Sequence, residues 1–573
     1  MEQQKFAANA AIGPGAPAGV ASEGADPIAR PRTRAWRHRA EQLGIAAAIA
    51  LVVFALGYAW GMKQLPGFDA GPMVDMAWRM AHGLRPNMDF PSPFPPSFAL
   101  PAKWAFEIAG VRWSSLAMLG AGFGALLSAI VFWVWTPVVG RSRALGLAAL
   151  AAAQMPLIDG FWWYGSSAGM AVIALAGAVI ADHKHAQCAG RPLAHRLSWM
   201  ILKIALMMFL MGAKPNEAWP MVAGAVVAIG APKRFAGMGD LRQALGLFFG
   251  SFALFAALCQ ASGFPLINYG DFMAHVAHRA GHFPLFDSHR LPMDRIVAIA
   301  ALVCASAGFA PLLRDNDRPR AATGFFSLGR GFIVAGLSAS LAGAMFLNAD
   351  CALQSAPLLA AALLMGAPPQ STSRKRAVLV FWMAGMALAL WLGHARFRVE
   401  EAGVSQFWEE PASLSTIHGG FFDGLSAGPR LRQFMDESKM ALEQTESKNV
   451  FFGPRVEFGY AAFGLESPDA QPLWWDPKVA YRPRDRESHI ALWIKQAPDL
   501  MILDNMDITF MPAPIMNYAS GHYRLVSMQA IEAAALAPGQ SPPSRQEASV
   551  LVSDALMERL QARANDPSTP AKK

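Results

Sequence analysis

The chain has 573 residues, of which 54% are hydrophobic and only 16% are charged, and its mean hydropathy is +0.27. A composition this apolar excludes an ordinary soluble protein and predicts an integral membrane protein. The formal net charge is +8, but the basic residues fall in short clusters between apolar runs, so nucleic-acid binding is not expected.

Residues 1–41 begin as a low-complexity stretch of Ala, Gly and Pro and end in a basic run. A cleaved signal peptide would carry its apolar core much nearer the start of the chain. We therefore interpret this segment as a disordered cytoplasmic tail and the first apolar run as a permanent anchor.

Eleven apolar runs approach the roughly 17–25 residues that a helix needs to cross a bilayer. They predict a polytopic α-helical membrane protein with about 11 transmembrane helices over residues 42–394. The runs lie at residues 43–62, 114–135, 144–158, 167–181, 199–213, 218–231, 241–262, 295–313, 331–347, 352–366 and 378–393.

The loops between these runs alternate in charge. Every second loop, counted from the basic tail, is rich in Lys and Arg, as the positive-inside rule requires of cytoplasmic loops. This pattern predicts a cytoplasmic N-terminus and, given the Ala-rich composition, a multi-pass protein of a bacterial inner (plasma) membrane. The first external loop is then residues 63–113, and a long external loop covers residues 263–294.

The polar C-terminal region has a different composition. Residues 450–454 (VFFGP) and 500–505 (LMILDN) predict strands, and LVSDALMERLQAR, residues 551–563, predicts a helix. We expect an extracytoplasmic α/β domain over residues 395–564, located in the periplasm or outside the cell, and a disordered tail at 565–573. The PLWWDP segment at 472–477 fits either an acceptor contact or the core of that domain.

The first external loop carries two patterns. Apolar residues at i, i+3, i+4 and i+7, with polar residues on another face, predict a short amphipathic helix in the membrane interface. The apolar positions are Met73, Met76, Ala77 and Met80, and the polar positions are Asp75, Arg79 and His82. The segment from Pro86 to Pro101 contains six prolines and is predicted to be extended. Taken alone, these residues fit a surface helix and loop in which Asp69 only ends the preceding helix.

The combination FDAG, AWRMAHGL and MDFPSPFPP resembles the first external loop of GT-C membrane glycosyltransferases, such as protein mannosyltransferases and aminoarabinose transferases. The resemblance implies transfer of a sugar, hexosyl or pentosyl, from a polyprenyl-phosphate donor to a glycan, lipid or protein acceptor at the external membrane face. It also implies that Asp69 is the general base, with Asp89 as a second candidate. The mannosyltransferase branch commonly has an Asp-Glu pair here, whereas Ala70 follows Asp69 in this chain.

Such a transfer needs cations near the departing phosphate, where negative charge develops. The candidates are Lys214, which fits an interfacial snorkelling lysine equally well, and Arg279, Arg290, His278 and His282 in the long external loop. Asp271, His275, His278 and His282 fall on one stripe if that segment is helical. A divalent metal would fit the stripe, but the polar face of an interfacial helix is the favoured interpretation, and we expect no cofactor.

Two other classes of protein remain as alternatives. A transporter or flippase of a lipid-linked saccharide would place ionisable groups near the bilayer midplane. The predicted helix interiors are almost free of charge, and Lys203 is the main exception. The third alternative is a non-catalytic scaffold whose external domain recruits partners.

Overall fold

The computed structural model describes residues 30–65, 70–154, 164–186, 193–213, 215–230, 238–279, 407, 413–475, 480–504, 511–526 and 548–565. The four predicted runs between residues 295 and 393 lie outside these ranges. The chain divides into two compact units, Met1–Ile45 and Ala46–Lys573. The described part of the first unit is the N-terminal portion of one helix, and the remaining elements belong to the second unit.

The described residues up to 279 are almost entirely helical. The helices are α1 (Arg30–Gly61), α2 (Ala70–Ala81), α3 (Pro96–Ala109), α4 (Trp113–Val139), α5 (Arg141–Gln154), α6 (Tyr164–Ala186), α7 (Leu193–Met211), α8 (Pro215–Gly230), α9 (Met238–Ala261) and α10 (Leu266–Arg279). Within the described ranges, five of them, α1, α4, α6, α7 and α9, are long and apolar enough to cross a membrane. The membrane-spanning, mainly helical fold is therefore confirmed for this part of the chain. Helices α5 and α8 match two further predicted runs, but they have only 14 and 16 residues.

Helices α4 and α6 pack closely at Gly177, where a small residue lies in their contact. A Cβ atom added to Gly177 in α6 would lie 2.5 Å from the Val134 side chain and 2.6 Å from Nε1 of Trp135. The same indole N–H donates a hydrogen bond to the carbonyl of Ile173 at 3.0 Å. Close backbone approach at a small residue, with a side-chain hydrogen bond across the interface, is typical of helix pairs in membranes.

Lys203, the charged residue noticed in an apolar run, is not isolated. Its Nζ lies 2.6 Å from Oδ2 of Asp182, and the two side chains are 7% and 21% exposed. Asp182 belongs to α6 and Lys203 to α7, so this ion pair ties two membrane helices together. An ionised group in an apolar surrounding requires such a partner.

The proline-rich segment was predicted to be extended throughout, and this was wrong for its second half. Residues 91–95 are irregular, but α3 begins at Pro96 and contains Pro101. Proline is favoured at the first helical position because its missing N–H would have no partner there. The Ser97 N–H donates to the carbonyl of Gly212 at 2.9 Å, and its hydroxyl donates to the carbonyl of Phe209 at 2.7 Å. These bonds attach the start of α3 to the end of α7.

The C-terminal segment contains helices and strands, as the sequence predicted. Its elements are β1 (Ser415–Thr416), β2 (Ser426–Ala427), α11 (Pro429–Thr445), β3 (Val450–Phe452), α12 (Phe458–Phe463), α13 (Arg486–Gln496), β4 (Leu500–Asp504), α14 (Ala513–His522), β5 (Tyr523–Val526), β6 (Ala548–Ser553) and α15 (Asp554–Ala564). The larger sheet has the strand order β3-β4-β6-β5, in which β3 and β4 are parallel and the other pairs are antiparallel.

Two details of the C-terminal prediction change. Residues 551–553 were assigned to a helix but form the end of β6, because the pattern of AlaSerValLeuValSer alternates and its inward side chains are buried. The helix starts at Asp554, where the hydroxyl of Ser553 accepts the N–H of Leu556 at 3.2 Å. Trp474 and Trp475 are 4% and 1% exposed, so the WW pair belongs to the core rather than to an exposed contact surface.

Candidate functional site

Helix α2 begins at Ala70, directly after the proposed base Asp69. Asp69 itself lies outside the described residues, together with residues 66–68. The first three residues of the helix are Ala70, Gly71 and Pro72. Proline is tolerated there because the backbone N–H groups in the first turn of a helix have no carbonyl partner within the helix. Helix α2 is therefore the described part of the first loop that lies next to Asp69 in the sequence.

The predicted apolar face of α2 is buried. Met73, Met76, Ala77 and Met80 are at most 3% exposed. The polar face was predicted to be exposed at a membrane interface, and this was wrong for Asp75 and Arg79. Both are buried because residues 457–475 of the C-terminal segment cover that side of the helix. His82, in the turn after the helix, is exposed.

Asp75 and Arg79 form a buried ion pair. Nε of Arg79 lies 2.9 Å from Oδ2 of Asp75, and the side chains are 2% and 0% exposed. Burial raises the pKa of Asp75, while Arg79 and a hydrogen bond from the Ser467 hydroxyl oppose that rise. Nη1 of Arg79 donates to the carbonyls of Pro468 at 3.2 Å and Gln471 at 3.0 Å. The pair therefore holds α2 against the C-terminal segment.

The same helix makes two further contacts along this side. The indole N–H of Trp78 donates to the carbonyl of Leu465 at 2.9 Å. The guanidinium of Arg79 lies 5.1 Å from the ring centroid of Phe90, which follows Asp89 in the proline-rich loop. Charge, hydrogen bonds and aromatic packing therefore fix α2 relative to both its own loop and the C-terminal segment.

At the start of α2, the helix backbone meets a turn that follows β3. A Cβ atom added to Gly71 would lie 2.4 Å from the carbonyl oxygen of Arg455 and 2.9 Å from Oε2 of Glu457. Glu457 is 3% exposed, and its burial raises the pKa of the carboxyl to about 8. Glu457 is thus a buried acid with a raised pKa beside the first turn of α2, the helix that directly follows Asp69 in the sequence, and such groups are candidates for a functional site.

Asp89, the second predicted base, is held by Arg85. Its Oδ2 accepts the backbone N–H of Arg85 at 2.7 Å and Nε at 3.1 Å, while Oδ1 accepts Nη2 at 3.2 Å. These bonds hold the pKa of Asp89 below its ordinary value. Asn87, in the left-handed conformation at φ 62°, closes the same turn through side-chain hydrogen bonds to Ser92. The described contacts of Asp89 are those of a residue that shapes the loop.

Helix α10 contains the start of the predicted His stripe, and its helical form agrees with the stripe's spacing. Asp271 is already engaged, because its Oδ2 lies 2.8 Å from Nη2 of Arg482 in the C-terminal segment. No group of three or more His, Cys, Asp or Glu side chains able to hold a metal occurs among the described residues. His278 and Arg279 lie in the last turn of α10, but their side chains are outside the description.

Three other predicted ligands of the phosphate, Lys214, His282 and Arg290, lie outside the described residues. Their roles remain predictions. The structure adds residues that the sequence interpretation passed over, namely Glu457, Ser467 and Gln471. Glu457 carried the one usable signal, since it is a lone acid in the apolar stretch VEFGYAAF. A buried acid in such a stretch must be neutral or paired.

The fold was compared with known proteins. No protein-family model matches the sequence, and no curated protein matches it. Solved structures that match this chain include those of ArnT and of an archaeal oligosaccharyltransferase.

Two of these are structures of ArnT from Cupriavidus metallidurans. The one bound to undecaprenyl phosphate is 15% identical, with 90% of this chain and 98% of that chain covered and a TM-score of 0.42. The apo structure is 14% identical, with coverages of 91% and 99% and a TM-score of 0.44. An Archaeoglobus fulgidus oligosaccharyltransferase tethered with an acceptor peptide is 11% identical, with coverages of 83% and 73% and a TM-score of 0.38.

Proposed function

We propose that the protein is a membrane glycosyltransferase of the GT-C type that moves a hexosyl or pentosyl group from a polyprenyl-phosphate donor to an acceptor hydroxyl. The acceptor is a glycan, a lipid or a protein at the external face of a bacterial inner membrane. Asp69 takes the proton of the attacking hydroxyl, and the hydroxyl oxygen forms a bond to the anomeric carbon of the sugar. The bond between that carbon and the phosphate oxygen breaks, and the polyprenyl phosphate leaves with its electron pair.

The observation that carries this proposal is the folded state of the first-loop motif. The helix that continues from Asp69 is enclosed on its apolar and its polar side, and its buried ion pair is bonded to the C-terminal segment. A carboxylate carried by a rigid support can be aimed at a reacting hydroxyl, which is a requirement of general-base catalysis. A loop that only linked two membrane helices would need no such support.

The contacts of Asp89 favour Asp69 as the base. Asp89 is bonded through both carboxylate oxygens to Arg85, and its lowered pKa makes it a weaker proton acceptor. In this proposal Asp89 shapes the proline-rich loop, while Lys214, Arg279, Arg290, His278 and His282 supply the positive charge that stabilises the departing phosphate. A divalent metal is not part of this proposal.

We also propose an orientation of the chain in the membrane. The basic N-terminal tail is cytoplasmic, and the first loop, the long loop and the C-terminal α/β region lie on the external side. Donor, acceptor and base then meet on one face of the bilayer. Accessibility of single cysteines to a membrane-impermeant thiol reagent in intact cells would reveal an opposite orientation.

The test of the function is mass spectrometry of polyprenyl-phosphate sugars and surface glycans in a strain that lacks the gene. We expect one sugar donor to accumulate and the corresponding sugar to disappear from an acceptor. Wild-type protein should restore the acceptor, and Asp69→Asn should not, although it is made and inserted in equal amount.

Asp89→Asn is the matched control, because it removes a carboxylate charge from the same loop. We expect it to retain at least a tenth of wild-type transfer. Full transfer by Asp69→Asn would remove Asp69 as the base. If purified protein in proteoliposomes moves the accumulated lipid across the bilayer without transferring its sugar, the protein is instead a flippase or transporter.

A further inference from the structure

We propose that the turn at residues 453–457 is a positioning element for the proposed base, and that Glu457 is its positioning residue. The turn fixes the first helical turn of α2 through Gly71, and with it the backbone that carries Asp69. This inference rests on the proposed function, because it takes Asp69 as the reacting group.

The shape of the turn depends on the carboxyl group of Glu457. Its Oε1 accepts the backbone N–H of Arg455 at 3.0 Å. Arg455 adopts a left-handed backbone conformation, with φ 73°, which a residue other than glycine holds only when its surroundings fix it. This hydrogen bond, accepted by Glu457, therefore helps to hold the Arg455 carbonyl where it meets α2.

The contact with α2 requires a glycine. A Cβ atom at position 71 would lie 2.4 Å from the Arg455 carbonyl oxygen, a distance that real Cβ atoms do not show. The obstructing group is backbone, so it cannot rotate away as a flexible side chain would. The helix and the turn are consequently in direct backbone contact.

Glu457 faces a closed and charged environment. Asp75 on α2 and Arg455 on its own segment act electrostatically on its carboxyl, and Arg79 and Tyr460 line the same small cavity as Glu457. Its Oε2 has no hydrogen-bond partner among the described side chains and backbone groups. With a pKa of about 8, the carboxyl is protonated at neutral pH and adds no negative charge beside Asp75. The amide of glutamine has the same shape and is neutral at every pH.

The contact between Gly71 and the turn at residues 453–457 affects the proposed base through the covalent backbone. Gly71 follows Asp69 by two residues, so a shift of the first helical turn moves the Asp69 backbone with it. A displacement of about 1 Å in a reacting group costs on the order of 100-fold in rate. A substitution that disturbs the contact between Gly71 and the turn should therefore lower kcat. It should leave the donor KM nearly unchanged, since the donor is bound by other residues.

The experiment compares wild type, Gly71→Ala, Glu457→Ala and Glu457→Gln as full-length protein in nanodiscs. The probes are the polyprenyl-phosphate sugar fraction and the glycan, lipid and protein fractions that carry the acceptor, all extracted from the deletion strain, and transfer of the sugar from donor to acceptor gives kcat and the donor KM. Gly122→Ala is the matched control, because a Cβ atom at this helical position in α4 meets nothing within 4 Å. Hydrogen exchange of residues 70–81 and 113–139 is measured on the same samples.

We expect Gly71→Ala and Glu457→Ala to lower kcat at least tenfold with KM within twofold of wild type. Exchange should rise at least tenfold in residues 70–81 and stay unchanged in residues 113–139. Glu457→Gln should keep kcat within threefold at pH 7 and shift the alkaline limb of the pH profile upwards. Gly122→Ala should match wild type in every measurement.

Two failures are distinguishable. Wild-type protein that consumes no donor overturns the proposed function and the role of Asp69 with it. If wild type consumes the donor and Glu457→Ala has the same kcat and the same exchange in residues 70–81, the inference is overturned while the proposed function stands. If Gly71→Ala does not fold, the two Glu457 variants decide the question.

Discussion

The Asp75–Arg79 pair is surrounded by side chains and carbonyl groups that replace water. A buried ion pair of this kind contributes little net stability compared with an apolar pair, because removing both charges from water costs about as much as their attraction returns. Removing one partner is different, since the remaining charge is then buried and uncompensated. The pair is thus a sensitive reporter of the contact between α2 and the C-terminal segment.

Arg79→Leu should destabilise the protein by about 3–5 kcal/mol, because it leaves Asp75 without its cation. The double variant Asp75→Leu/Arg79→Leu should be more stable than Arg79→Leu alone. Thermal unfolding in detergent, followed by tryptophan fluorescence, measures both.

Arg85→Leu provides the comparison, because its ion pair with Asp89 is partly exposed, with side chains 49% and 30% accessible. We expect a much smaller change there than for Arg79→Leu, because solvent screens an exposed pair. A double variant as unstable as Arg79→Leu would contradict the interpretation that the unpaired charge causes the loss.

Glu457 predicts a specific dependence of stability on pH. Its ordinary pKa is 4.5 and burial raises the value in the folded protein to about 8. Between these two values the folded protein keeps a proton that the unfolded chain has lost, so its contribution to stability falls as the pH rises. The fall approaches about 1.4 kcal/mol per pH unit in that window.

Glu457→Gln should remove this loss, so that its melting temperature exceeds that of wild type at pH 8 by more than at pH 5. Glu443→Gln is the control, because Glu443 is 67% exposed. It should follow the wild-type curve from pH 5 to pH 9. Parallel curves for wild type and Glu457→Gln would show that Glu457 does not carry a raised pKa.

At the scale of elements, the α4–α6 contact depends on the absence of a side chain at Gly177. Gly177→Ala should lower the stability by about 1–3 kcal/mol, because the added methyl group displaces Val134 and the hydrogen-bonded Trp135. The melting temperature in detergent measures the effect.

A glycine on an open helix face should respond in the opposite direction. A Cβ atom at Gly146 in α5 meets nothing within 4 Å, and alanine has the higher helix propensity, so Gly146→Ala should be neutral or stabilising by up to about 1 kcal/mol. Equal stabilisation by both substitutions would mean that helix propensity, and not packing, governs these positions.

The local sequence pattern explains which helices and strands were predicted and which were missed. The runs of α1, α4, α6, α7 and α9 were visible because lipid selects apolar residues along a whole helix. Helix α3 was missed because its two prolines suggested an extended chain, although Pro96 stands at the one helical position where proline is favoured. Strands β3 and β4 were found because each is a short run that is apolar, apart from Asp504 at the end of β4.

At the scale of the whole molecule, the candidate site is only partly visible in the sequence. The helical period of α2 was correct, but the burial of its polar face depends on residues more than 380 positions away, such as Pro468 and Gln471. One sequence contains no signal that links two such distant segments. The prediction of Asp69 as the base came from the motif around it, whereas the approach of Glu457 to Gly71 at the start of α2 could be found only from the folded structure.

The contact between Asp75 and Ser467, 392 residues apart, has a consequence for biosynthesis. Helix α2 leaves the ribosome long before the segment that covers it, at a rate of about 5–20 residues per second. For tens of seconds its Asp and Arg can therefore bond only with each other and with water at the membrane surface. The first loop can reach its final form only when the chain is almost complete, so partially synthesised chains in the membrane would be catalytically silent.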